Sequence, residues 1–531
     1  MPAMLYHFAM TKLAVPITAV TPAEAGQQAL AAQTARAEML ELRLDYLKSL
    51  TVDAVTAVFA EIAAQCVDPL PVIATCRDKA EGGARDWPLA LRLAALEAAA
   101  KCGADFIDVE YANYRLAVSQ ARIQKILQVH PRSRLILSAH DFSGKFNNIK
   151  DLYTEIASVG SAIIPKIVYT PGHITDCFDA FDLLHEHPGE DLIVLCMGQP
   201  GLISRILAPK LGGFVTFAGL TPETATAPGQ LTVEQSRNSY RYARIDSQTA
   251  LFGVIADPVA HSMSPAIHNA CFAEADMNRL YLPLLVQGGQ GGFDAFMDAV
   301  AARPWLGFRG FSVTIPHKSA ALAYVKAKGG WVEPLAERIG AVNTIVVADD
   351  GRLSAYNTDY AAVLDAITGT LGIDRTGLAA VPVAVIGAGG VSRAIVAGLR
   401  DAGARVTIYN RTVEKAAALA GEFGCDYAGL DALPRLDARL IINGTSIGMV
   451  PNTAATPVPA ECIRPGVVVF DTVYNPVQTL LLTQAAQAGA TTIDGVTMFV
   501  NQALAQFRLF TGQGADPGLM RSVVLGLLAA K

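Results

Sequence analysis

The sequence has no hydrophobic run long enough to cross a bilayer and no excess of basic residues. No apolar stretch reaches the ~20 residues that a membrane-spanning helix needs. The formal net charge is −6, which argues against non-specific binding to nucleic acid. These shortages exclude a membrane-spanning protein and a basic nucleic-acid-binding protein.

Cysteine is also sparse, and no C-x-x-C pair is present. The thiols are scattered as Cys66, Cys76, Cys102, Cys177, Cys196, Cys271, Cys425 and Cys462. Such spacing is typical of small core residues in a reducing compartment and not of disulfide bridges or a metal site. The N-terminal letters MPAMLYHFAMTK lack the features of an export or transit signal. We therefore expect a cytoplasmic protein without a bound metal.

At 531 residues the chain is too long for one hydrophobic core, and its length favours about three structural units. Hydrophobic residues make up 52% and charged residues 17%. That balance is typical of an α/β enzyme with large buried parallel sheets.

Short apolar strands alternate with amphipathic helical segments through the first half of the chain. The periodicity predicts strands at Leu13–Ala19, Met39–Leu47, Val72–Arg77, Phe106–Tyr111, Leu135–His140, Ala162–Tyr169, Leu192–Gly198 and Phe214–Ala218. Eight strand–helix repeats are the number of a closed (β/α)8 barrel, whose catalytic groups lie at the C-terminal ends of its strands. A doubly wound open sheet is the alternative, but it does not explain the number eight.

Charged and polar residues interrupt these apolar strands or follow them directly. They are Glu41, Arg43, Arg77, Glu81, His140, Lys166, Arg205 and Gln230. Glu41 and Arg43 alternate along one strand, so they face the same side and could form an ion pair. Lys166 lies in the middle of an apolar strand. There, burial is expected to lower its pKa and make the neutral amine available as a nucleophile towards a carbonyl.

A glycine-rich stretch in the second half predicts a dinucleotide site. An apolar strand from Val383 leads into Gly387-Ala388-Gly389-Gly390 and then an Ala-rich helix, with Ser392 in place of the usual third glycine. Glycines at this position let a pyrophosphate approach the backbone N–H groups of a helix N-terminus. The next strand ends at Asn410-Arg411-Thr412 and not at an acidic residue. Because a guanidinium can pair with a 2′-phosphate, the expected cofactor is NADP(H).

Polar residues at strand ends also precede the glycine-rich stretch. Ser262 and Ser264 stand before a helix, where they could cap it or bind a carboxylate. Lys318, Asn343 and Asp359 follow predicted strands. Beside a dinucleotide unit, this set suits a polyhydroxylated acid.

The first half resembles type I 3-dehydroquinate dehydratase. The resemblance rests on six segments in family order, ELRLD, CRDKAEGG, SAHDF, PKIVYT, MGQPGLISR and APGQ. It implies that Lys166 forms an imine with the substrate ketone, that His140 is the acid–base group and that Glu81 positions it. It further implies that Arg205 binds the substrate carboxylate. Glu41, Arg43, Arg77 and Gln230 would supply the remaining substrate contacts.

The second half resembles shikimate dehydrogenase in segments such as HSMSPAIHNA, GFSVTIPHK, GAVNT, NTDY, NGTSIGM, DTVYNP and DGVTMFVNQA. The resemblance implies that Lys318 and Asp359 are the catalytic pair. The implied substrate contacts are Ser262, Ser264, Thr314, Asn343, Thr445, Tyr474 and Gln502. The implied cofactor contacts are Gly387, Ala388, Gly389, Gly390, Asn410, Arg411, Thr412 and Met498.

The two implied reactions share one metabolite, because the first makes 3-dehydroshikimate and the second reduces it to shikimate. We therefore expect a bifunctional, NADP(H)-dependent enzyme of the shikimate pathway that acts on small molecules. The expected architecture is a (β/α)8 barrel (1–235) and a linker (236–248), followed by a two-domain α/β dehydrogenase. The dehydrogenase would have a substrate domain (249–355, completed by 495–531) and a Rossmann-type NADP domain (356–494).

Three alternatives stay open. The reductase could act on quinate or on both acids, since the two ligands differ little. A class I aldolase would share the barrel and its lysine. A metabolite-sensing regulator could keep the carboxylate contacts after losing its reactive groups, although Lys166, His140, Lys318 and Asp359 are all present.

Overall fold

The structure is a computed structural model that describes residues 11–529. The N-terminal letters examined for a targeting signal therefore lie outside the described residues, except for their last two. The described chain divides into two compact units. The first contains the residues up to Thr249 together with Leu284–Gln287, and the second contains the rest. No helix within residues 11–529 has the length and apolar character needed to cross a membrane.

The first unit is a nearly closed barrel of eight parallel strands in the order β7-β6-β5-β4-β3-β2-β1-β8. Its strands are β1 (Lys12–Ile17), β2 (Met39–Arg43), β3 (Val72–Thr75), β4 (Phe106–Glu110), β5 (Arg134–Asp141), β6 (Ile164–Tyr169), β7 (Ile193–Cys196) and β8 (Val215–Phe217). The helices are α1 (Pro22–Thr34), α2 (Val52–Gln65), α3 (Leu89–Lys101), α4 (Tyr111–Tyr114), α5 (Ala117–Val129), α6 (Ile149–Ala157), α7 (Cys177–Glu186) and α8 (Gly198–Leu211). All eight predicted strands are present, so the barrel is confirmed and the open-sheet alternative is wrong.

The barrel strands are short apolar runs because both of their faces are covered. Every residue of β2, β3 and β4 is buried, as expected for a parallel sheet enclosed by helices. Threonines set where helices begin: Thr21 accepts from Glu24 N and caps α1, and Thr51 accepts from Ala54 N and caps α2. The polar residues in these strands are therefore buried among apolar side chains, where they need hydrogen-bond or ion-pair partners.

The second unit contains two six-stranded sheets, the first of them mixed. Its order is β10-β9-β11-β13-β14-β12, with β9 and β11 parallel and β11 and β13 antiparallel. The strands are β9 (Ala250–Ala256), β10 (Arg279–Leu285), β11 (Phe308–Val313), β12 (Trp331–Val332), β13 (Thr344–Val347) and β14 (Leu353–Tyr356). The helices of this part are α9 (Ser264–Glu274), α10 (Gly289–Ala301), α11 (Lys318–Ala327) and α12 (Pro334–Ile339).

The other sheet is fully parallel, in the order β17-β16-β15-β18-β19-β20. Its strands are β15 (Pro382–Ile386), β16 (Arg405–Tyr409), β17 (Asp426–Ala428), β18 (Leu440–Asn443), β19 (Val468–Asp471) and β20 (Thr491–Ile493). The helices are α13 (Thr358–Leu371), α14 (Gly390–Asp401), α15 (Val413–Phe423), α16 (Leu480–Gln487), α17 (Gly495–Thr511) and α18 (Pro517–Ala529). This strand order is that of the Rossmann fold, which binds ligands where the order reverses, here between β15 and β18.

Candidate active sites

The first candidate site lies at the C-terminal ends of the barrel strands. One pocket is lined by all eight residues singled out in the first half of the sequence, namely Glu41, Arg43, Arg77, Glu81, His140, Lys166, Arg205 and Gln230. They come from different strands and loops, and the parallel barrel brings them together because its strands all end at the same face.

Lys166 is buried at the centre of this pocket, and its ammonium group is paired. Its Nζ donates to Asp108 Oδ2 at 2.8 Å and lies 3.5 Å from Glu41 Oε1. Two carboxylates therefore lie beside the buried amine. The expected role of Lys166 as a nucleophile stays a prediction. The same carboxylates would stabilise any cation formed at that nitrogen.

Asp108 is the hub of a buried hydrogen-bond network. Besides Lys166, it accepts from Arg77 Nη2 at 2.8 Å and from Ser138 Oγ at 2.6 Å. Burial by itself would raise the pKa of Asp108, but the Arg77 guanidinium and the Lys166 ammonium outweigh it and hold that pKa well below its usual range. Sequence reasoning missed Asp108. The signal was present, since two acids alternate in the apolar strand β4, FIDVE.

His140 and Glu81 form a second pair at the mouth of the barrel. His140 Nδ1 lies 3.0 Å from Glu81 Oε2, and the backbone N–H of His140 donates to the same oxygen at 3.0 Å. Burial lowers the pKa of His140 well below its usual value, and the nearby Arg77 and Lys166 charges add to this. Burial raises the pKa of Glu81 to about 7. A neutral imidazole held by a titratable carboxyl group is suited to moving protons.

The arginines of the pocket differ in their partners. Arg43 is bound through Nε and Nη2 to Asp45, at 2.9 and 2.8 Å, so the suggested ion pair with Glu41 is wrong. Asp45 accepts both bonds because it follows Arg43 on the turn that ends β2. Arg205 is buried, and its Nε has no hydrogen-bond partner among the described residues. Burial lowers the pKa of Arg205 to about 10, and a buried guanidinium without a carboxylate partner is suited to an anionic ligand.

The second candidate site is a cleft of about 490 Å³ in the second unit. Nine of the residues singled out from the sequence line it, namely Ser262, Ser264, Thr314, Lys318, Asn343, Asp359, Tyr474, Met498 and Gln502. They come from loops and helix starts at the edge of the mixed sheet, from the start of α13, from the loop after β19 and from α17. The cleft is thus large enough for a polar six-membered ring beside a nicotinamide.

Lys318 and Asp359 are in direct contact within the cleft. Lys318 Nζ donates to Asp359 Oδ2 at 2.5 Å, and Asn343 Nδ2 donates to Asp359 Oδ1 at 2.9 Å. The backbone of Asp359 is fixed as well, since its N–H donates to the side chain of Asn357, which caps α13. A cation and a carboxylate at this distance can hold and pass on one proton.

Thr445 lies apart from this set and does not line the cleft. Its hydroxyl donates to Asn443 Oδ1 at 2.7 Å, and its methyl group packs against Gly387. The structure therefore places Thr445 beside the glycine-rich loop.

The glycine-rich loop joins β15 to α14 at the reversal point of the parallel sheet. Gly387 has a φ of 109°, which favours glycine. A Cβ added to Gly389 or Gly390 would meet no heavy atom within 4 Å, so open space lies before the N-terminus of α14. Ser392 is buried, and its hydroxyl donates to Gly444 O at 3.2 Å. This loop fits a pyrophosphate at a helix N-terminus.

The residues expected at the adenosine end stand after β16. Arg411 and Thr412 are exposed, and Asn410 Nδ2 donates to Thr412 O at 2.8 Å. That bond holds the turn from which the Arg411 side chain extends.

Among the described residues, no group of three or more His, Cys, Asp or Glu side chains could hold a metal ion.

Models of known protein families match most of the described chain. Type I 3-dehydroquinase matches residues 13–247, and the shikimate dehydrogenase substrate binding domain matches 254–345. Shikimate / quinate 5-dehydrogenase matches 373–447, and the shikimate 5′-dehydrogenase C-terminal domain matches 495–525.

One relative is similar to both halves of the chain, and two others are similar to its second half. The chloroplastic bifunctional 3-dehydroquinate dehydratase/shikimate dehydrogenase of Arabidopsis thaliana is 36% identical over 503 residues, which cover 91% of this chain and 79% of the relative. The NADP(+)-dependent shikimate dehydrogenase of Methanosarcina mazei is 41% identical over 290 residues, 53% of this chain and 99% of the relative. The solved structure of shikimate 5-dehydrogenase from Thermus thermophilus, in complex with NADP(H) and shikimate, is 35% identical. It covers 52% of this chain and 99% of that chain, with a TM-score of 0.45.

Proposed function

The chain belongs to the family of bifunctional 3-dehydroquinate dehydratase/shikimate dehydrogenases, and from that premise we propose how its two sites act. The barrel dehydrates 3-dehydroquinate to 3-dehydroshikimate, and the second unit reduces this product to shikimate with NADPH. The observation that carries this conclusion is that two complete sets of acid–base groups lie in two separate pockets, one around Lys166 and one around Lys318.

In the barrel, the Lys166 amine attacks the C3 ketone of dehydroquinate, and loss of water leaves a protonated imine. The imine draws electrons from C2, so His140 can remove a proton there. The enamine then expels the C1 hydroxyl, which takes that proton from His140 and leaves as water. Hydrolysis of the imine releases dehydroshikimate and restores Lys166.

The other barrel residues hold the substrate and the charged nitrogen. Asp108, 2.8 Å from Lys166 Nζ, stabilises the iminium by its negative charge. Arg205 binds the substrate carboxylate with a guanidinium that has no carboxylate partner among the described residues. Glu81 fixes the orientation of the His140 ring. Substrate hydroxyls and the remaining carboxylate contact are assigned to Glu41, Arg43, Arg77 and Gln230.

In the reductase, bound NADPH supplies a hydride to the C3 carbonyl carbon of dehydroshikimate. The Lys318–Asp359 pair supplies the proton to the carbonyl oxygen. Substrate contacts are assigned to Ser262, Ser264, Thr314, Asn343, Tyr474 and Gln502, with Thr445 kept as a prediction. Cofactor contacts are assigned to Gly387, Ala388, Gly389, Gly390, Asn410, Arg411, Thr412 and Met498.

Borohydride reduction tests the imine at Lys166. Treatment of the protein with dehydroquinate and borohydride is expected to add the mass of the reduced ligand to the peptide that contains Lys166. The peptide with Lys210, another buried lysine of the barrel, serves as the control and is expected to stay unmodified. A Lys166 peptide without added mass would refute the assignment.

Three finer assignments belong to this proposal. Shikimate is favoured over quinate because Ser262 and Ser264 both line the cleft, and rates with the two acids would decide. A cytoplasmic location is supported by the eight free thiols. The domain boundaries are proposed at 236–248 for the linker, with the NADP domain at 356–494 between the two parts of the substrate domain.

A further inference from the structure

The reductase cleft is lined in part by a continuous run of buried hydrogen bonds whose central residue has no assigned role. Gln506, on α17, is 2% exposed and stands at its centre. Ser312 Oγ donates to Gln506 Oε1 at 2.7 Å, and Gln506 Nε2 donates to Thr344 Oγ1 at 3.1 Å and to Asn343 O at 3.3 Å. The side chain thus joins α17 to β11 and β13.

The direction of every bond in this run is determined. The backbone oxygen Asn343 O can only accept, so the amide nitrogen of Gln506 must face it and the amide oxygen must face Ser312. The Ser312 hydroxyl therefore donates its proton to the amide oxygen of Gln506. The Tyr281 hydroxyl, 2.6 Å from Ser312 Oγ, must therefore donate to Ser312.

On the other side the run ends at the catalytic pair. Thr344 Oγ1 donates to Asn343 Oδ1 at 2.9 Å, and the backbone N–H of Thr358 donates to the same oxygen at 2.8 Å. With Oδ1 doubly occupied, the Asn343 amide nitrogen must face Asp359, to which it donates at 2.9 Å. The side chain of Gln506 therefore contributes to the orientation of the amide that holds the Asp359 carboxylate.

We propose that Gln506 is a positioning residue of the reductase, one that links Ser312, which lines the cleft, to the Lys318–Asp359 pair through Thr344 and Asn343. This inference rests on the proposed function of the cleft. Gln506 does not touch the reacting atoms in this role. It fixes which hydroxyls donate and which way the Asn343 amide points, and so keeps the proton donor aligned with the carbonyl that is reduced. Networks of this kind are sensitive to one lost partner, since each buried group relies on its neighbour.

The Gln506→Met variant tests the proposal, because methionine is close in size and cannot form these bonds. The kcat for dehydroshikimate reduction is expected to fall about 10- to 100-fold, the scale of a small misalignment of reacting groups. The KM for NADPH and the dehydratase activity of the same chain are expected to stay unchanged. Thr511→Val is the matched control, since Thr511 is on the same helix and its hydroxyl bonds to backbone groups of Phe507 and Gln513 and not to a side chain of the cleft.

The Gln506→Glu variant separates positioning from a purely structural role. An ionised carboxylate cannot donate to Asn343 O, but the neutral acid can. The reductase kcat of Gln506→Glu relative to the unaltered chain is therefore expected to rise as the pH is lowered. A role in folding alone would not produce this trend.

Four outcomes are decisive. A Gln506→Met reductase with unchanged kcat would overturn the proposal, as would equal losses of both activities together with a lower Tm. A Gln506→Glu variant whose relative rate does not depend on pH would also overturn it. An unaltered chain that does not reduce dehydroshikimate would remove the proposed function and this inference together, which distinguishes that failure from the other three.

Discussion

Lys166 Nζ lies 2.8 Å from Asp108 Oδ2, and the two groups are 4% and 1% exposed. A buried carboxylate beside this nitrogen would stabilise the iminium cation that the proposed reaction forms there. The cost of burying both charges is reduced because Asp108 also accepts from Arg77 and Ser138. The barrel therefore holds its reactive lysine as one half of an ion pair.

Asp108→Asn is expected to lower the dehydratase kcat about 10²-fold, the usual loss when one group that stabilises transition-state charge is removed. The amide cannot neutralise the iminium. Reductase activity, measured on the same preparation, is expected to be unchanged. Asp86→Asn, at an exposed position of the same barrel, is the control. A dehydratase rate equal to that of the control would show that Asp108 has no part in the reaction.

The dehydratase is expected to gain kcat/KM as the pH rises through about 7, the pKa that burial gives Glu81. Below this pH the carboxyl group is protonated and has no charge to strengthen its hydrogen bond with the His140 ring, and above it the carboxylate makes a charge-assisted bond to that ring. His140 does not cause this rise in kcat/KM with pH, because its own pKa is lowered and the ring is already neutral.

Glu81→Gln is expected to remove this rise in kcat/KM near pH 7, since the amide does not ionise in this range. Glu97→Gln, which alters a half-exposed ion pair with Arg122, is the control and is expected to keep it. If kcat/KM of Glu81→Gln still rose with the same midpoint pH, the rise would belong to another group.

Lys318→Ala is expected to reduce the kcat for dehydroshikimate reduction by about 10²-fold or more, the scale of a lost acid–base group. Shikimate binding, measured by titration calorimetry, is expected to survive because the serine and amide contacts remain. Lys326→Ala changes an exposed lysine of the same helix that pairs with Glu337, and it is expected to have no effect. Equal losses of affinity and rate would indicate that Lys318 only binds substrate.

Arg411→Ala is expected to raise the KM for NADPH about 10- to 100-fold, the range for a lost hydrogen bond to a charged group. The KM for NADH is expected to change little, because NADH has no 2′-phosphate. Arg405→Ala, at the exposed start of the same strand β16, is the control. Equal changes for both cofactors would contradict the role of Arg411.

The sequence predicted the barrel and the Rossmann-type sheet because both rest on local signals. Eight apolar runs such as Val72–Thr75 are bounded by polar turns, and a glycine-rich turn follows a buried strand at Gly387. Lys166 and His140 could be singled out because a charged or polar group in an apolar strand has few structural explanations.

Other parts of the sites depend on neighbours that are distant in sequence. Asp108 gains its importance from Arg77, Ser138 and Lys166, which come from three other segments. Arg43 was expected beside Glu41 by strand alternation, but the turn after β2 brings Asp45 to it instead. Gln506 stands in an ordinary helix, and only the fold shows that its amide contacts β11 and β13. Strand periodicity gives the face of a side chain and not its partner.

The most direct test of the central claim is to supply the purified chain with dehydroquinate and NADPH and to identify the product. Shikimate is expected to form, with one NADPH oxidised for each dehydroquinate consumed. Dehydroquinate left unchanged, or dehydroshikimate that accumulates without oxidation of NADPH, would contradict it.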